Sequence, residues 1–146
     1  RCYGWVAPPL YQMNAQEIAT KAHEGQFRRD GVTPYIKHPE EVASFFEEGS
    51  ILWEIAWLHD VLEDTDWNDS SLYEQDVSFK TVLTVNYLTH KKGASYRNYI
   101  LSLKGDSHAQ GLARRVKLID IAVNLGDSPT PKQVKKYAEA LKILCS

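Results

Sequence analysis

The sequence predicts an all-α protein built as a single domain, a bundle of helices. Its 146 residues suit one domain that is large enough to bury a real core. Apolar residues recur at helical intervals of three and four along most of the chain, while strand-like alternation is nearly absent. The chain also contains no internal repeat and no low-complexity segment.

Capping residues mark where several of the predicted helices begin. Asn14, with Glu17 three residues later, is typical of an N-terminal cap, and Ser50 is a second cap. Thr130 is a third cap, and Pro131 follows it at the first helical position. We expect the polar segment 64–76 to be a loop that borders the mouth of a site. The predicted helices are 14–25, 39–48, 50–64, 77–90, 95–104, 107–126 and 131–144.

The chain divides into a short N-terminal segment and one domain. Residues 1–12 are expected to be an N-terminal extension or a cloning remnant, because Met13 is the only methionine, and the domain then covers 13–146. Cys2 and Cys145 lie near opposite ends, so neither a disulfide framework nor a zinc knuckle is predicted. No apolar run approaches membrane-spanning length and no signal-peptide core is found, which favours a cytoplasmic protein.

The charge of the chain argues against nucleic acid as a partner. The formal net charge is −2, so no broad basic field is present. A local basic run at Lys132, Lys135 and Lys136 is interpreted as a solvated helix face. His90 and His108 are expected to be surface residues.

The adjacent residues His59 and Asp60 are the strongest functional signal in the chain. They offer a metal one imidazole and one carboxylate from a single helical turn, and Glu63 and Asp64 follow about one turn later. Acids inside an apolar helix cost solvation energy unless something binds them. The pattern indicates a divalent cation, with the second acidic pair left for proton transfer. The alternative is an amphipathic helix with a solvated acidic edge.

Two further residues fit the same metal site. His38 stands beside Pro39 at a predicted helix start, and Asp120 lies within an apolar helical run. Lys117 and Asn124 share the helix face of Asp120. A mixed histidine and aspartate set suits manganese, iron, cobalt or zinc. The alternatives are a packing or capping role for His38 and a simple ion pair between Lys117 and Asp120.

Three strings carry a resemblance to a known family. They are AHEGQFRRDGVTPYIKHPEEVA at 22–43, AWLHDVLEDT at 56–65 and RRVKLIDIAVNL at 114–125. Over roughly residues 14–127 the chain resembles the HD-domain metal-dependent phosphohydrolases. Among these it looks most like the hydrolase domain of RelA/SpoT-type alarmone enzymes and their small stand-alone relatives. The resemblance implies an HD-type helical bundle without room for a synthetase domain.

The resemblance also implies a role for each matched residue. Manganese would be the metal, held by His38, His59, Asp60 and Asp120. The acidic pair would handle the attacking water, and these residues are Glu63 and Asp64. Contacts to the guanine ring and the phosphates would come from Arg28 and Arg29, and the nucleotide pocket would be lined by Lys117 and Asn124.

Two departures from the family pattern leave the exact nucleotide open. After Asp120, the family commonly has a basic residue and then an aromatic or histidine before the asparagine, where this chain has Ile121 and Val123. Three residues after the asparagine the long enzymes often have threonine, where this chain has Asp127. Tyr35, in the turn before His38, is expected to be a core residue, with a role in the site as the alternative.

The resemblance implies a small-molecule nucleotide as the partner. The leading expectation is hydrolysis of the alarmone (p)ppGpp at its 3′-pyrophosphate, giving pyrophosphate and GDP or GTP. One alternative is an HD phosphohydrolase of another nucleotide, such as NADPH or a nucleoside monophosphate. The other is a nucleotide-binding module that keeps the fold and has lost turnover. The sequence does not determine the oligomeric state.

Overall fold

The computed structural model describes residues 12–146, and this part of the chain is helical. The all-α prediction is confirmed: the described residues form no strand, and their one β-bridge joins Phe27 and Pro34. A 3₁₀ turn at Ser102–Lys104 follows the seventh helix. The helices are α1 (Ala15–Ala22), α2 (Lys37–Ala43), α3 (Ile51–Leu58), α4 (Val61–Asp64), α5 (Asp69–Glu74), α6 (Phe79–Tyr87), α7 (Tyr96–Leu101), α8 (His108–Leu125) and α9 (Pro131–Leu144).

The core forms around α3, which is apolar on nearly every side. Leu52, Ile55 and Leu58 are buried, and α3 packs against α1, α2, α6 and α8. A helix that is hydrophobic all round has to be enclosed by other elements. The C-terminal end of α3, which carries the sequence motif, is therefore held inside the bundle where α2 and α8 also meet.

The predicted helix caps are confirmed. The side chains of Asn14, Ser50 and Thr130 accept hydrogen bonds from the backbone N–H groups three residues later. Each such cap satisfies a donor that the first helical turn leaves unpaired, which is worth about 1 kcal/mol. Pro131 occupies the first turn of α9, as the sequence predicts.

The predicted helix 50–64 is wrong in one respect, because it is interrupted at the motif itself. α3 ends at Leu58 and α4 begins at Val61. The Nδ1 atom of His59 is hydrogen bonded to the carbonyl oxygen of Ala56 at 2.6 Å. The side chain thus competes with the backbone for a carbonyl group in the last turn of α3. Asp60 follows with φ −104° and ψ −2°, outside ideal helix geometry.

The prediction of a loop over 64–76 is also wrong in part, because this segment contains α5. Asn68 and Ser71 form a capping box, in which each side chain bonds the other residue's backbone N–H. Leu72 anchors the short helix in the core. The polar composition that favours a loop here comes largely from capping residues.

The turn between α1 and α2 is closed by local hydrogen bonds and holds the two predicted basic residues. The backbone N–H of Arg28 donates to the carbonyl of Thr33 at 2.7 Å. The Oδ1 atom of Asp30 accepts from the N–H groups of Val32 and Thr33, each at 2.8 Å. Gly31 has φ +69°, a conformation that favours glycine. We call residues 27–34 the basic loop.

The proposed N-terminal extension at 1–12 lies outside the described residues except for Gln12. The assignment of 13–146 as one domain stays a prediction. Within the described part of the chain, no helix is both long enough and apolar enough to cross a membrane.

Candidate active site

Four side chains from three parts of the fold converge on one point beneath the surface. His38 comes from α2, His59 and Asp60 come from the junction of α3 and α4, and Asp120 comes from α8. The Nε2 atom of His38 lies 2.8 Å from Asp120 Oδ1 and 3.7 Å from Asp60 Oδ2. The Nε2 atom of His59 lies 3.0 Å from Asp60 Oδ2 and 3.4 Å from Asp120 Oδ1. The structure thus brings together all four predicted metal ligands.

These separations match those of atoms that share a metal ion. Ligand atoms about 2.1 Å from one ion lie roughly 3.0 Å apart at right angles and roughly 3.4 Å apart at a tetrahedral angle. The four histidine-to-carboxylate separations, 2.8 to 3.7 Å, bracket both values. Ligand atoms of His38, His59 and Asp60 all lie within 4.8 Å of one another, and Asp120 adjoins this group through the two histidines. Two imidazole nitrogens and two carboxylate oxygens are donors of the kind that intermediate divalent ions accept.

A buried nitrogen without a partner supports the same interpretation. His59 Nε2 makes no hydrogen bond to any residue that the structure describes, although two carboxylates lie close to it. Burial opposes protonation of His59, but the charges of Asp60 and Asp120 outweigh it and raise its pKa well above the ordinary value. The buried carboxylate of Asp120 and the partly buried one of Asp60 are therefore stabilised by positive charge between them, and a divalent ion supplies more of it than a proton does.

Asp120 is held in place by its neighbours on α8. The Nζ atom of Lys117 donates to Asp120 Oδ2 at 2.9 Å, and Asn124 Nδ2 donates to Oδ1 at 3.0 Å. Burial would raise the pKa of Asp120, but Lys117 and the two histidines bring it well below the ordinary value. The carboxylate is therefore ionised and fixed. Lys117 and Asn124 both occur here, as predicted from the shared helix face.

The predicted acidic pair lies beside the four predicted metal ligands. We call these ligands, His38, His59, Asp60 and Asp120, the metal set. Asp60, Glu63 and Asp64 each offer an oxygen within 4.8 Å of the others. Glu63 Oε1 accepts the backbone N–H of His90 at 2.5 Å. Burial raises the pKa of both Glu63 and Asp64, and the nearby charge of Asp60 raises both further. A carboxylate with a raised pKa is a better proton acceptor.

Above these residues opens a cavity of about 180 Å³ whose surface is mainly polar. One wall is aromatic: the rings of His90 and Tyr99 stack 5.0 Å apart, and His90 meets Tyr96 edge-on at 6.0 Å. The hydroxyl of Tyr96 is buried without a hydrogen bond in the described part of the chain. The lining residues are Tyr35, His38, Asp60, Glu63, Asp64, Leu88, His90, Tyr96, Tyr99, Lys117, Asp120, Asn124, Lys136 and Tyr137.

Sequence reasoning missed several members of this lining, among them Lys136 and His90. Lys136 is solvent-exposed on α9, as its basic run predicts, but its Nζ atom lies 4.2 Å from the centre of the Tyr96 ring. Partial loss of hydration beside the cavity and the nearby Lys117 lower the pKa of Lys136. His90, expected at the surface, is half-buried. A run of lysines carries no signal that distinguishes a cavity wall from an open helix face.

Arg28 and Arg29 do not line this cavity. Arg28 donates to Asp127 Oδ2 at 2.7 Å and to Asn124 Oδ1 at 3.3 Å, so it borders the cavity at Asn124. Arg29 donates to Gln133 Oε1 at 2.6 Å and to the carbonyl oxygen of Asp127 at 3.0 Å. Both guanidinium groups thus fasten the basic loop to the end of α8 and the start of α9.

The departures from the family pattern fall in two different environments. Ile121 and Val123 are buried in the core, away from the lining of the cavity. Asp127 is exposed and forms the ion pair with Arg28. The replacement at Asp127 therefore acts on a residue predicted to bind the substrate, whereas the other two act on packing.

Two curated proteins are similar to this chain along most of its length. A guanosine-3′,5′-bis(diphosphate) 3′-pyrophosphohydrolase from Haemophilus influenzae is 48% identical over 144 residues, which cover 88% of this chain and 20% of that protein. A putative chloroplastic GTP diphosphokinase RSH1 from Oryza sativa subsp. japonica is 30% identical over 148 residues, covering 90% of this chain and 16% of that protein. The chain thus spans a fifth or less of each relative.

No family model matches the chain. The resemblance to RelA/SpoT-type proteins is nevertheless confirmed by these two relatives. The assignment to the wider HD superfamily stays a prediction that rests on the motifs.

Proposed function

We propose that this chain, related to RelA/SpoT-type proteins over most of its length, is a metal-dependent hydrolase of the alarmone (p)ppGpp. The observation that carries the proposal is the 48% identity to a 3′-pyrophosphohydrolase of this alarmone, across 88% of the chain. The reaction would take place in the cytoplasm and lower the alarmone level that drives the stringent response.

The metal set would hold one divalent ion, and Mn²⁺ is the ion that we propose. The ion would be held by His38, His59, Asp60 and Asp120. When bound, it would polarise a phosphoryl oxygen and make a water molecule more acidic. Metal ligands bind in their deprotonated forms, so the affinity for the metal falls as the pH is lowered.

Glu63 and Asp64 would act on the water and not on the metal. A water held between these carboxylates is aimed at the phosphorus next to the ribose 3′ oxygen. The water oxygen forms a new bond to phosphorus, the bond from phosphorus to the 3′ oxygen breaks, and one carboxylate takes the water proton. The protonated carboxylate then returns this proton to the departing 3′ oxygen, so the products are pyrophosphate and GDP, or GTP from pppGpp.

The cations of the cavity would stabilise the negative charge of the phosphates. Lys117 lines the cavity next to Asp120, and the Nζ atom of Lys136, on α9, lies over the Tyr96 ring. Charges held by the fold near a reacting phosphate lower the barrier because they need no rearrangement during the reaction. The unpaired Tyr96 hydroxyl is a further donor for an oxygen of the substrate.

Arg28 and Arg29 would bind the nucleotide at the border of the cavity. A planar guanidinium can stack on a purine and can also grip phosphate, which a lysine does less well. Arg28 reaches the border through Asn124, and its ion pair with Asp127 is partly open to solvent. Such a pair costs little to exchange for a phosphate or a base.

A nucleotide panel tests the proposal. The chain loaded with Mn²⁺ is incubated with ppGpp, pppGpp, NADPH and GMP, and the products are separated and identified. We expect pyrophosphate with GDP or GTP from the alarmones, and no turnover after removal of the metal by a chelator. Turnover of NADPH or GMP alone would assign the site to that nucleotide. Nucleotide binding by the metal-loaded chain without any turnover would make it a binding module.

A further inference from the structure

Tyr35 connects the basic loop to the metal set. Its backbone N–H donates to the carbonyl of Gln26 at 2.8 Å, at the base of the loop. Its side chain extends into the cavity, where the hydroxyl donates to Asp60 Oδ2 at 2.6 Å. The expectation that Tyr35 is only a core residue is therefore incomplete, because its polar end takes part in the site.

The hydroxyl contacts the oxygen of Asp60 that faces the metal set. This same Oδ2 atom lies 3.0 Å from His59 Nε2 and 3.7 Å from His38 Nε2. A carboxylate oxygen has two lone pairs, so one can accept the tyrosine hydrogen bond while the other is directed toward a cation. A single short bond to this oxygen restricts rotation of the carboxylate about its last torsion.

We propose that Tyr35 is a positioning residue that sets the orientation of the Asp60 carboxylate for metal binding. Partners that hydrogen bond to metal ligands orient them and raise affinity, and loss of such a partner typically costs about 10–100-fold. The inference rests on the proposed metal set, and it adds a residue that touches neither the metal nor the reacting phosphate.

The ring of Tyr35 is itself held from two sides. The imidazole of His23 lies 4.8 Å from it, centre to centre, and His23 is buried and hydrogen bonded to Gln26 at 2.8 Å. The Arg28 guanidinium lies 5.7 Å from the ring centre. Because these contacts involve the ring alone, phenylalanine keeps them and removes only the interactions of the hydroxyl, which are the bond to Asp60 and an interaction with Asp64. Tyr35→Phe is therefore a clean test of the hydroxyl.

The test measures metal binding directly. Mn²⁺ is titrated by calorimetry into metal-free protein without nucleotide, for the unmodified chain, for Tyr35→Phe and for the control Tyr73→Phe. Tyr73 lies on α5 with its side chain exposed, away from the site. We expect the Kd for Mn²⁺ to rise about 10–100-fold in Tyr35→Phe and to stay unchanged in the control. At saturating Mn²⁺, kcat of Tyr35→Phe should recover toward the unmodified value.

Circular dichroism and thermal melting of the metal-free proteins separate this role from a structural one. If Tyr35→Phe melts earlier but binds Mn²⁺ within about threefold of the unmodified chain, the inference is overturned. It is also overturned if the unmodified chain binds no Mn²⁺. The alarmone proposal can fail separately. If the chain binds Mn²⁺ normally and does not hydrolyse (p)ppGpp, the proposed substrate is wrong, but the inference about Tyr35 and metal binding still stands.

Discussion

At the residue scale, Glu63 and Asp64 differ in how they are held. The carboxylate of Glu63 accepts the backbone N–H of His90, which links it to the aromatic wall of the cavity. The carboxylate of Asp64 interacts with the side-chain hydroxyl of Tyr35, and its backbone carbonyl accepts from Gln26 Nε2 at 2.8 Å. A backbone donor is less mobile than a side chain, so Glu63 is the better fixed of the two carboxylates, and we expect it to contribute more to holding the attacking water.

We predict that Glu63→Gln lowers kcat by at least about 100-fold and leaves the Mn²⁺ content unchanged, since general-base assistance is worth about that much. The glutamine amide can still accept the His90 N–H through its oxygen but takes no proton. Steady-state kinetics and metal analysis of the purified variant check this, with Asp64→Asn measured beside it. Loss of metal from Glu63→Gln would show that Glu63 is a metal ligand. Full activity in both variants would show that neither carboxylate accepts the proton of the attacking water.

Part of the predicted site has a local signal in the sequence. His59 and Asp60 are adjacent, and Lys117 and Asn124 are one helical turn from Asp120. The role of Tyr35 has no such signal, because its partner Asp60 lies 25 positions away along the chain. A tyrosine in a turn fits a core, a surface or a site equally well until the fold places its hydroxyl.

At the element scale, the basic loop and the end of α8 form one unit. Arg28 bonds to Asn124 and Asp127, and Arg29 bonds to Gln133 at the start of α9. These contacts join segments about 100 positions apart, so they decide where the loop stands relative to the metal set. The loop is thus held close to the cavity without its guanidinium groups lying in it.

We predict that Arg28→Ala raises KM for ppGpp by about tenfold or more, because charge-assisted hydrogen bonds are worth about 1.5–3 kcal/mol. The variant should lower kcat less than it raises KM and should bind Mn²⁺ normally. Kinetics and a metal titration check both statements. Asp127→Asn is the matched control: it removes the same ion pair but keeps the arginine, and we expect KM to stay level or fall.

A parallel rise of KM in Asp127→Asn would contradict this assignment. It would show that the ion pair positions the loop and that Arg28 itself contributes nothing to substrate binding. Stability should change little in either variant, because the pair is partly exposed and such pairs are worth roughly 0–1 kcal/mol.

The helices could be predicted where apolar periodicity and capping residues agree. They were harder to predict where a side chain hydrogen bonds to a backbone group that the helix would otherwise use. α8 and α9 follow from long apolar patterns with capping residues at their starts. The break between α3 and α4 does not follow, because it depends on His59 bonding the carbonyl of Ala56. A histidine within an apolar run continues a helix as readily as it ends one.

At the scale of the whole molecule, the metal set joins parts of the chain that only the fold brings together. His38 and Asp120 are 82 positions apart, yet their side chains touch. The helix bundle could be predicted from composition and period. The cavity above the metal set could not, because it is lined together by α2, α4, α7, α8 and α9, by the turn before α2 and by the residues after α6. The shape of the cavity depends on the angles at which the helices cross, and the sequence pattern does not specify these angles.

Because one ion would bind ligands from α2, the α3–α4 junction and α8, its binding should stabilise the entire fold. A ligand that binds only the native state stabilises it by about 2.7 kcal/mol at 100 times its Kd. For a chain of this size we expect Tm to rise by roughly 5–10 °C in Mn²⁺ at that concentration. Thermal melting followed by circular dichroism, with and without a chelator, measures the shift.

Asp120→Ala is the control for this stabilisation. It removes one ligand and leaves Lys117 buried without its carboxylate, so the metal-free variant should melt earlier than the unmodified chain. We expect Mn²⁺ to add little further stability to the variant, because its ligand set is incomplete. An equal rise of Tm in both proteins would mean that the stabilising ion binds elsewhere. No rise in the unmodified chain, at Mn²⁺ concentrations that support hydrolysis, would mean that the ion does not link these helices.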